Sequence, residues 1–176
     1  MHDFSFMDET SVIVLLLNSE NKTMITMARI EKNENIEKKQ LEIPLGNSVE
    51  EINLRKKIIL DFYQEWKRQN PTQRKYNVSL KEYVNIRNVS ITETCYQASK
   101  TYLSTLAVLQ LDAVLMMAKK IKMTNAKPND KNQKPFNKMI LMECELPGIG
   151  KVKLTVGVKR RSFEKIQYCI TAIESQ

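Results

Sequence analysis

Residues 90–120 read SITETCYQASKTYLSTLAVLQLDAVLMMAKK, and the fold is read outward from this stretch. Ser90-Ile-Thr-Glu93 has the form of a capping box, in which the Ser hydroxyl and the Glu carboxylate each satisfy a main-chain N–H at a helix start. Beyond it Ile91, Cys95, Ala98, Tyr102, Leu106, Leu109, Ala113 and Met116 recur at steps of three or four residues. That spacing draws one apolar stripe down a helix, and no Gly or Pro interrupts it. The spacing predicts a helix over about 91–120, a rod of roughly 40 Å at 1.5 Å per residue, on which the rest of the chain packs.

Before the rod, Ser48-Val-Glu-Glu51 is a second capping box. Ile52, Ile59, Phe62, Tyr63 and Trp66 then mark an apolar face, predicting a helix over about 49–69 that ends at Asn70-Pro71. Trp66 reads as a core anchor. Residues 71–89 are mixed and read as a short helix or turn. Nearer the N-terminus, 11–18 and 23–30 are aliphatic or β-branched runs on either side of a polar loop, which reads as a β-hairpin whose first strand is apolar on both faces. Residues 31–39 read as an exposed charged loop, and 40–45 as a third short strand.

After the rod, 123–137 reads as a basic loop, with two prolines and three asparagines between Lys residues in 123–136, more in keeping with disorder than with function. Three alternating segments follow, 139–146, 151–159 and 165–173, joined by Pro147-Gly-Ile-Gly150 and Arg160-Arg-Ser-Phe-Glu164. They predict a three-stranded antiparallel meander. Pairing Val158 with Ile166 sets Val156 opposite Tyr168, Leu154 opposite Ile170 and Val152 opposite Ala172, with Ile140, Met142, Cys144 and Leu146 on the same apolar face. That face should lie on the long helix. The other face gathers Lys151, Lys153, Thr155, Gly157, Lys159, Lys165, Gln167 and Thr171, with a gap at Gly157 that reads as a bulge or a notch. In this register Cys144 and Cys169 face opposite ways and should not bond.

The expected class is therefore α+β in a single domain, 1–176. Its parts are N-terminal strands (1–45), a helical part (46–122), the basic loop (123–137) and a basic meander (138–176). The start lacks the basic and apolar regions of a secretory signal, and the run Val12–Leu17 is too short to cross a bilayer, so a cytoplasmic protein with no membrane partner is expected. The sequons at Asn21, Asn77 and Asn88 carry no weight in that compartment. Three dispersed cysteines give neither a disulfide framework nor a zinc pattern.

Charge is the strongest functional signal. The chain carries a net +8, yet residues 119–165 hold 13 Lys/Arg against 4 Asp/Glu, and residues 1–118 balance. Such a module is the electrostatic footprint of a polyanion partner, RNA favoured, although charge alone also fits a solvated surface. The one histidine, His2, excludes histidine-based triads and makes common metal sites remote, so no metal and no cofactor is expected. No phosphate-binding glycine loop is present. The pairs Glu50/Glu51 and Glu143/Glu145 read as a cap and as surface ion pairs. Candidate contacts to nucleic acid are Lys151, Lys153, Lys159, Arg160, Arg161, Lys165, Gln167, Lys131 and Lys134.

Helices followed by a basic meander ending in Tyr168-Cys-Ile-Thr-Ala172 resemble the small ribonuclease-like toxin fold of RelE-type and barnase- or colicin-type domains, which also occur in bacterial mobile elements. The resemblance covers about residues 90–174 and rests on pattern. It implies metal-independent RNA cleavage by Lys153, Arg160, Arg161 and Tyr168, with Lys159 beside them. The missing histidine departs from the barnase mechanism, and the register above sends Tyr168 to the apolar face. Binding without cleavage is the leading expectation. The competing one is a structural protein that self-associates or recruits a partner through its N-terminal strands. A small-molecule enzyme ranks third.

Overall fold

The computed structural model describes residues 12–17, 23–28 and 39–173, with side chains from Glu42 onward. Length predicts one domain, and the packing falls into two compact units that divide between Ile43 and Pro44. In the first, β1 (Val12–Leu17), β2 (Thr23–Ala28) and β3 (Lys39–Glu42) form an antiparallel sheet of their own, in the order β1-β2-β3. Val12 pairs with Ala28 and Leu17 with Thr23, as the expected hairpin requires. The loops read at 18–22 and 31–38, the environment of His2 and the covering of the first strand lie outside the described residues.

The second unit is α+β. Its helix α1 (Val49–Gln69) has the predicted bounds because the predicted cap forms: Ser48 Oγ accepts from the Glu51 N–H at 3.2 Å, and Glu51 Oε2 accepts from the Ser48 N–H at 3.1 Å. Those bonds hold the Glu51 carboxyl below its usual range. Ile58, Ile59, Phe62, Tyr63 and Trp66 are buried along one face, and Trp66 Nε1 donates to Asp112 at 2.7 Å. The segment expected to be a short helix or turn is instead a hairpin of β4 (Arg74–Asn77) and β5 (Glu82–Asn85). Asn77 closes it from inside the core, donating to the Leu115 and Ala118 carbonyls and accepting from the Leu80 N–H.

The single rod is not formed. Three short helices take its place, α2 (Asn88–Ala98), α3 (Tyr102–Leu109) and α4 (Leu111–Met117), and the chain then enters β6 (Lys119–Asn125). Local hydrogen bonding explains the break at 99–101. Thr101 is itself a helix cap, its hydroxyl accepting from the Ser104 N–H, and Thr105 Oγ1 bonds back to the Ala98 carbonyl at 3.1 Å. Hydroxyl side chains offer the main chain an alternative to continuing a helix. The start also shifts: α2 begins at Asn88, and Ser90 lies within it, its hydroxyl accepting from the Arg87 N–H. Each break resets the helical phase, so Leu111, Val114 and Leu115 are buried while Met116, expected in the stripe, is exposed.

Arg55 fastens the first break. Its side chain is fully buried at 0% exposure and donates to the Ser99 carbonyl at 2.7 Å, to Pro44 at 2.8 Å, to Gly46 at 2.6 Å and to Lys100 at 3.3 Å. It faces carbonyls from two segments, which a planar fork of five N–H donors suits better than an ammonium.

The meander is present as β7 (Phe136–Leu146), β8 (Gly150–Lys159) and β9 (Lys165–Ala172), extended to a six-stranded sheet in the order β4-β5-β9-β8-β7-β6. All neighbours are antiparallel except β5 and β9. Val152, Leu154, Val156, Met142 and Ile170 are fully buried, and this inner face lies under the helices: α2 and α3 pack on β9, α4 on β4 and β8, and α1 on α2 and α3. Cys144 pairs with Val152 and Cys169 with Thr155, so the two point to opposite faces, and all three cysteines are free. No described helix is long and apolar enough to cross a membrane.

Candidate nucleic-acid interface

Two chain segments build the cationic end of this sheet. Between β8 and β9 the chain turns through 160–164, closed by the Lys159 N–H donating to Glu164 O at 3.0 Å and the Phe163 N–H to Lys159 O at 3.2 Å. The other segment, 126–135, is what remains of the expected loop once β6 is taken from its start. Its asparagines and aspartate order it. Asp130 accepts from the Asn132 N–H and from Gln133 Nε2, each at 2.9 Å, and Gln133 Oε1 accepts from the Lys127 N–H. Side-chain bonds of this kind replace main-chain pairing in compact turns.

The loop is docked at two points. Asn132 donates to the Glu93 carboxylate on α2, and Arg160 reaches across to the loop, its Nε to Lys134 O at 2.8 Å and its N–H to Pro135 O at 3.0 Å. Docking sets Lys134 against Arg160 at one end of β7 and β8, with Lys131 on the same loop and Arg161 on the same turn, all four exposed. Half-buried Lys159 lies beside them, 3.6 Å from Glu164, which also holds Arg87.

Other expected members of the interface fall elsewhere. Lys151 and Lys153 are exposed on the outer face, opposite Glu145 and Glu143 in register, with Lys151 Nζ 3.8 Å from Glu143. The eight steps from Lys151 to Lys159 separate the two groups by about 27 Å at the rise of a strand. A continuous basic face is therefore replaced by a cationic end and a mixed-charge end.

The cause of the remaining differences is one bulge. Leu154 pairs with Ile170 and Val152 with Ala172 as expected, but Val156 pairs with Gln167 and Val158 with Lys165, leaving Tyr168 out of the ladder. A slip of one residue exchanges faces. Gln167, expected on the exposed polar face, is fully buried, accepting from the Tyr63 hydroxyl at 3.1 Å and donating to Thr94 Oγ1 at 2.6 Å. Burial pushes the Tyr63 phenol well above its usual range, against the opposing pull of its hydrogen-bond partners Thr94 and Gln167. Lys165 turns away from the outer face and pairs with Glu82 at 2.7 Å.

Tyr168 moves the other way, from the expected apolar face to the outer one. There it packs with Ala126, Phe136, Met139 and Ile166 beneath the loop, its ring edge-on to Phe136 at 6.0 Å. The Phe136 ring also fills the gap at Gly157: a β-carbon there would stand 2.5 Å from it. That position is neither an open notch nor a bulge; the bulge lies across the ladder at Tyr168. Burial, then the nearby Glu93 and Asp130 carboxylates, push the Tyr168 phenol far above its ordinary range. The four residues expected to cleave RNA are thus divided, with two exposed arginines at the turn, Lys153 further back on β8 and Tyr168 enclosed.

Sequence reasoning passed over Lys120, Lys138 and Phe163. They line an open cavity of about 430 Å³ together with Ile140, Val158 and Lys165. The usable signal was the alternation of Lys119–Asn125 with Ile121 inside it, a strand pattern absorbed into the end of the expected rod. No family model, curated protein or solved structure matches this chain.

Proposed function

We propose that the chain binds nucleic acid, single-stranded RNA in preference, through the cationic end formed by loop 126–135 and the 160–164 turn. The observation that supports this reading is the docking of the loop by Arg160, which joins the segment carrying exposed Lys131 and Lys134 to the turn carrying exposed Arg160 and Arg161. Arg161 supplies a planar fork suited to bidentate phosphate contact. The excess of 13 cations over 4 carboxylates in residues 119–165 supplies the longer-range attraction. Cleavage is not part of the reading, because an enclosed phenol held protonated is poorly placed to act as a base.

The test is a salt titration of binding to labelled single-stranded RNA and to a DNA duplex, with a gel on the same samples. Affinity should fall steeply with salt, and Arg161→Ala should lower the slope of log K against log salt by about one. Arg160→Ala should weaken binding further, since it also releases the loop. RNA left intact on the gel accords with binding alone. Binding that ignores both salt and Arg161 sinks the proposal.

A second reading is supported by the separate sheet β1-β2-β3, whose outer strands β1 and β3 each pair on one side only within that sheet. Strand edges of this kind recruit further strands. Sedimentation should then show a concentration-dependent oligomer, unchanged by Arg161→Ala. A monomer at all concentrations removes this reading.

A further inference from the structure

The cavity lined by Lys120, Lys138 and Phe163 lies at the inner face of the sheet, against Ile140 and Val158, between the β4–β5 turn and the β8–β9 turn. Its volume of about 430 Å³ falls within the range of small-molecule sites. Of its three lysines only Lys165 has a carboxylate among the lining residues, Glu82 at 2.7 Å. Lys138 Nζ bonds to a neutral partner, Asn125 Oδ1, at 2.7 Å, and Lys120 is exposed on β6. The cavity therefore holds an uncompensated positive charge beside an apolar wall.

Phe163 stands at its rim with two costs. Its φ of 56° is in the left-handed region, uncommon for a bulky residue, and the residue is 63% exposed. Glycine is the usual occupant of such a position in a hairpin turn and carries no such strain. A residue that is both strained and exposed contributes little to folding, and strain of this kind gathers at binding sites. Asn137, at the β7 bulge, also lines the cavity, and its amide oxygen is buried without a hydrogen-bond partner. Turning that amide toward a ligand forfeits no bond on the oxygen side.

We infer that this cavity binds one nucleotide unit, the base stacked on Phe163 against the Ile140–Val158 wall and the phosphate between Lys120 and Lys138. An aromatic face beside cations is the arrangement that holds single bases with little sequence preference. The inference deepens the nucleic-acid reading, on which it rests for the source of the ligand. The same chemistry is offered by a free mononucleotide and by the terminal nucleotide of a strand.

The test uses the full chain at low, fixed salt with four probes: uridine 5′-monophosphate, adenosine 5′-monophosphate, inorganic phosphate, and a short oligoribonucleotide with or without a terminal phosphate. Both mononucleotides should bind more tightly than phosphate. Phe163→Gly should weaken mononucleotide binding about tenfold, the size of one base–aromatic stack, and leave phosphate binding unchanged. Its unfolding midpoint should stay the same or rise, because glycine relieves the left-handed backbone. Lys138→Met should weaken mononucleotides and phosphate alike. Arg161→Ala should weaken the oligonucleotide and spare the mononucleotides.

Mutual competition between mononucleotide and oligonucleotide, strengthened by the terminal phosphate, identifies a strand end as the ligand; independent binding identifies a free nucleotide. Oligonucleotide binding with no mononucleotide binding overturns the cavity inference and leaves the cationic end standing. Mononucleotide binding without oligonucleotide binding does the reverse. Mononucleotide affinity unmoved by Phe163→Gly also overturns it.

Discussion

Replacing Arg55 by Met tests the fastening of the helical layer most directly. Methionine keeps most of the apolar stem and removes the guanidinium, so the change isolates the hydrogen bonds. The Ser99 carbonyl, buried and bonded at 2.7 Å, loses its partner outright. An unsatisfied buried acceptor costs about 1–3 kcal/mol. The carbonyls of Pro44, Gly46 and Lys100 are partly open, where water takes over part of the bond, at a net loss of about 0.5–1 kcal/mol each. Against this stands the relief of no longer burying a cation, which here depresses the pKa of Arg55. Relief dominates when both members of a buried pair are removed, but the carbonyls remain, so loss should dominate. The expected net destabilisation is about 3 kcal/mol.

Urea unfolding reads this through Trp66, the one tryptophan, which is 4% exposed. With a slope of about 2 kcal/mol per molar, the midpoint should fall by roughly 1.5 M at constant slope. Arg55→Lys keeps the charge without the fork and should fall between. A midpoint shift below about 0.3 M for Arg55→Met would show that the four carbonyls do not depend on Arg55, and the account of the helix break would fail with it.

Other perturbations probe the sheet. Gly157→Ala drives a methyl into the Phe136 ring and should cost about 1–3 kcal/mol, with part recovered in the double variant Gly157→Ala/Phe136→Leu; equal losses in single and double variants would reject the contact. Gln167→Leu strands the hydroxyls of Tyr63 and Thr94 and should cost about 2–4 kcal/mol, reduced when Tyr63→Phe accompanies it. If Gln167→Leu is neutral, the residue is exposed and the bulge misplaced. Burial and then Glu93 raise the Cys169 thiol from 9.0 to about 12, so the folded chain binds this proton more tightly than the unfolded one. The resulting stability is complete below pH 9 and lost as pH climbs to about 12, a decline that should be shallower in Cys169→Ala. Identical alkaline profiles for the two proteins would refute it.

What could be read from the sequence depended on the range of the interactions involved. Helix α1 was legible to the residue because its cap is local, Ser48 with Glu51, and its stripe is unbroken from Ile58 to Trp66. Even so, Arg55 stands three residues after Ile52 and four before Ile59, on the stripe, and charge hid its burial. The meander was legible because alternation and turns are local signals. Its bulge was not, since leaving Tyr168 out of the ladder depends on Phe136 and Gly157, distant in sequence. The rod failed because periodicity records which residues are apolar and not where hydroxyls at Thr101 and Thr105 interrupt the main chain. For the candidate interface, charge pointed to Lys131, Lys134, Arg160 and Arg161, which are exposed, whereas Lys165, Gln167 and Tyr168 were misplaced by a single step of register.

The broken rod bears on the order of assembly. At 11, 8 and 7 residues, α2, α3 and α4 are each below the length at which a helix holds in water, about 12–15 residues even for favourable sequences. Only α1, at 21 residues, exceeds that length. The three short helices must therefore wait for β9 and α1 to supply the surfaces they pack on, and pulse-labelled hydrogen exchange should protect α1 and the β7–β8 hairpin before residues 88–117. Early protection of 88–117 would mean the segment holds helix by itself. A continuous rod would have folded first and recruited the sheet; a jointed one is laid down last, fitted to a surface that already exists.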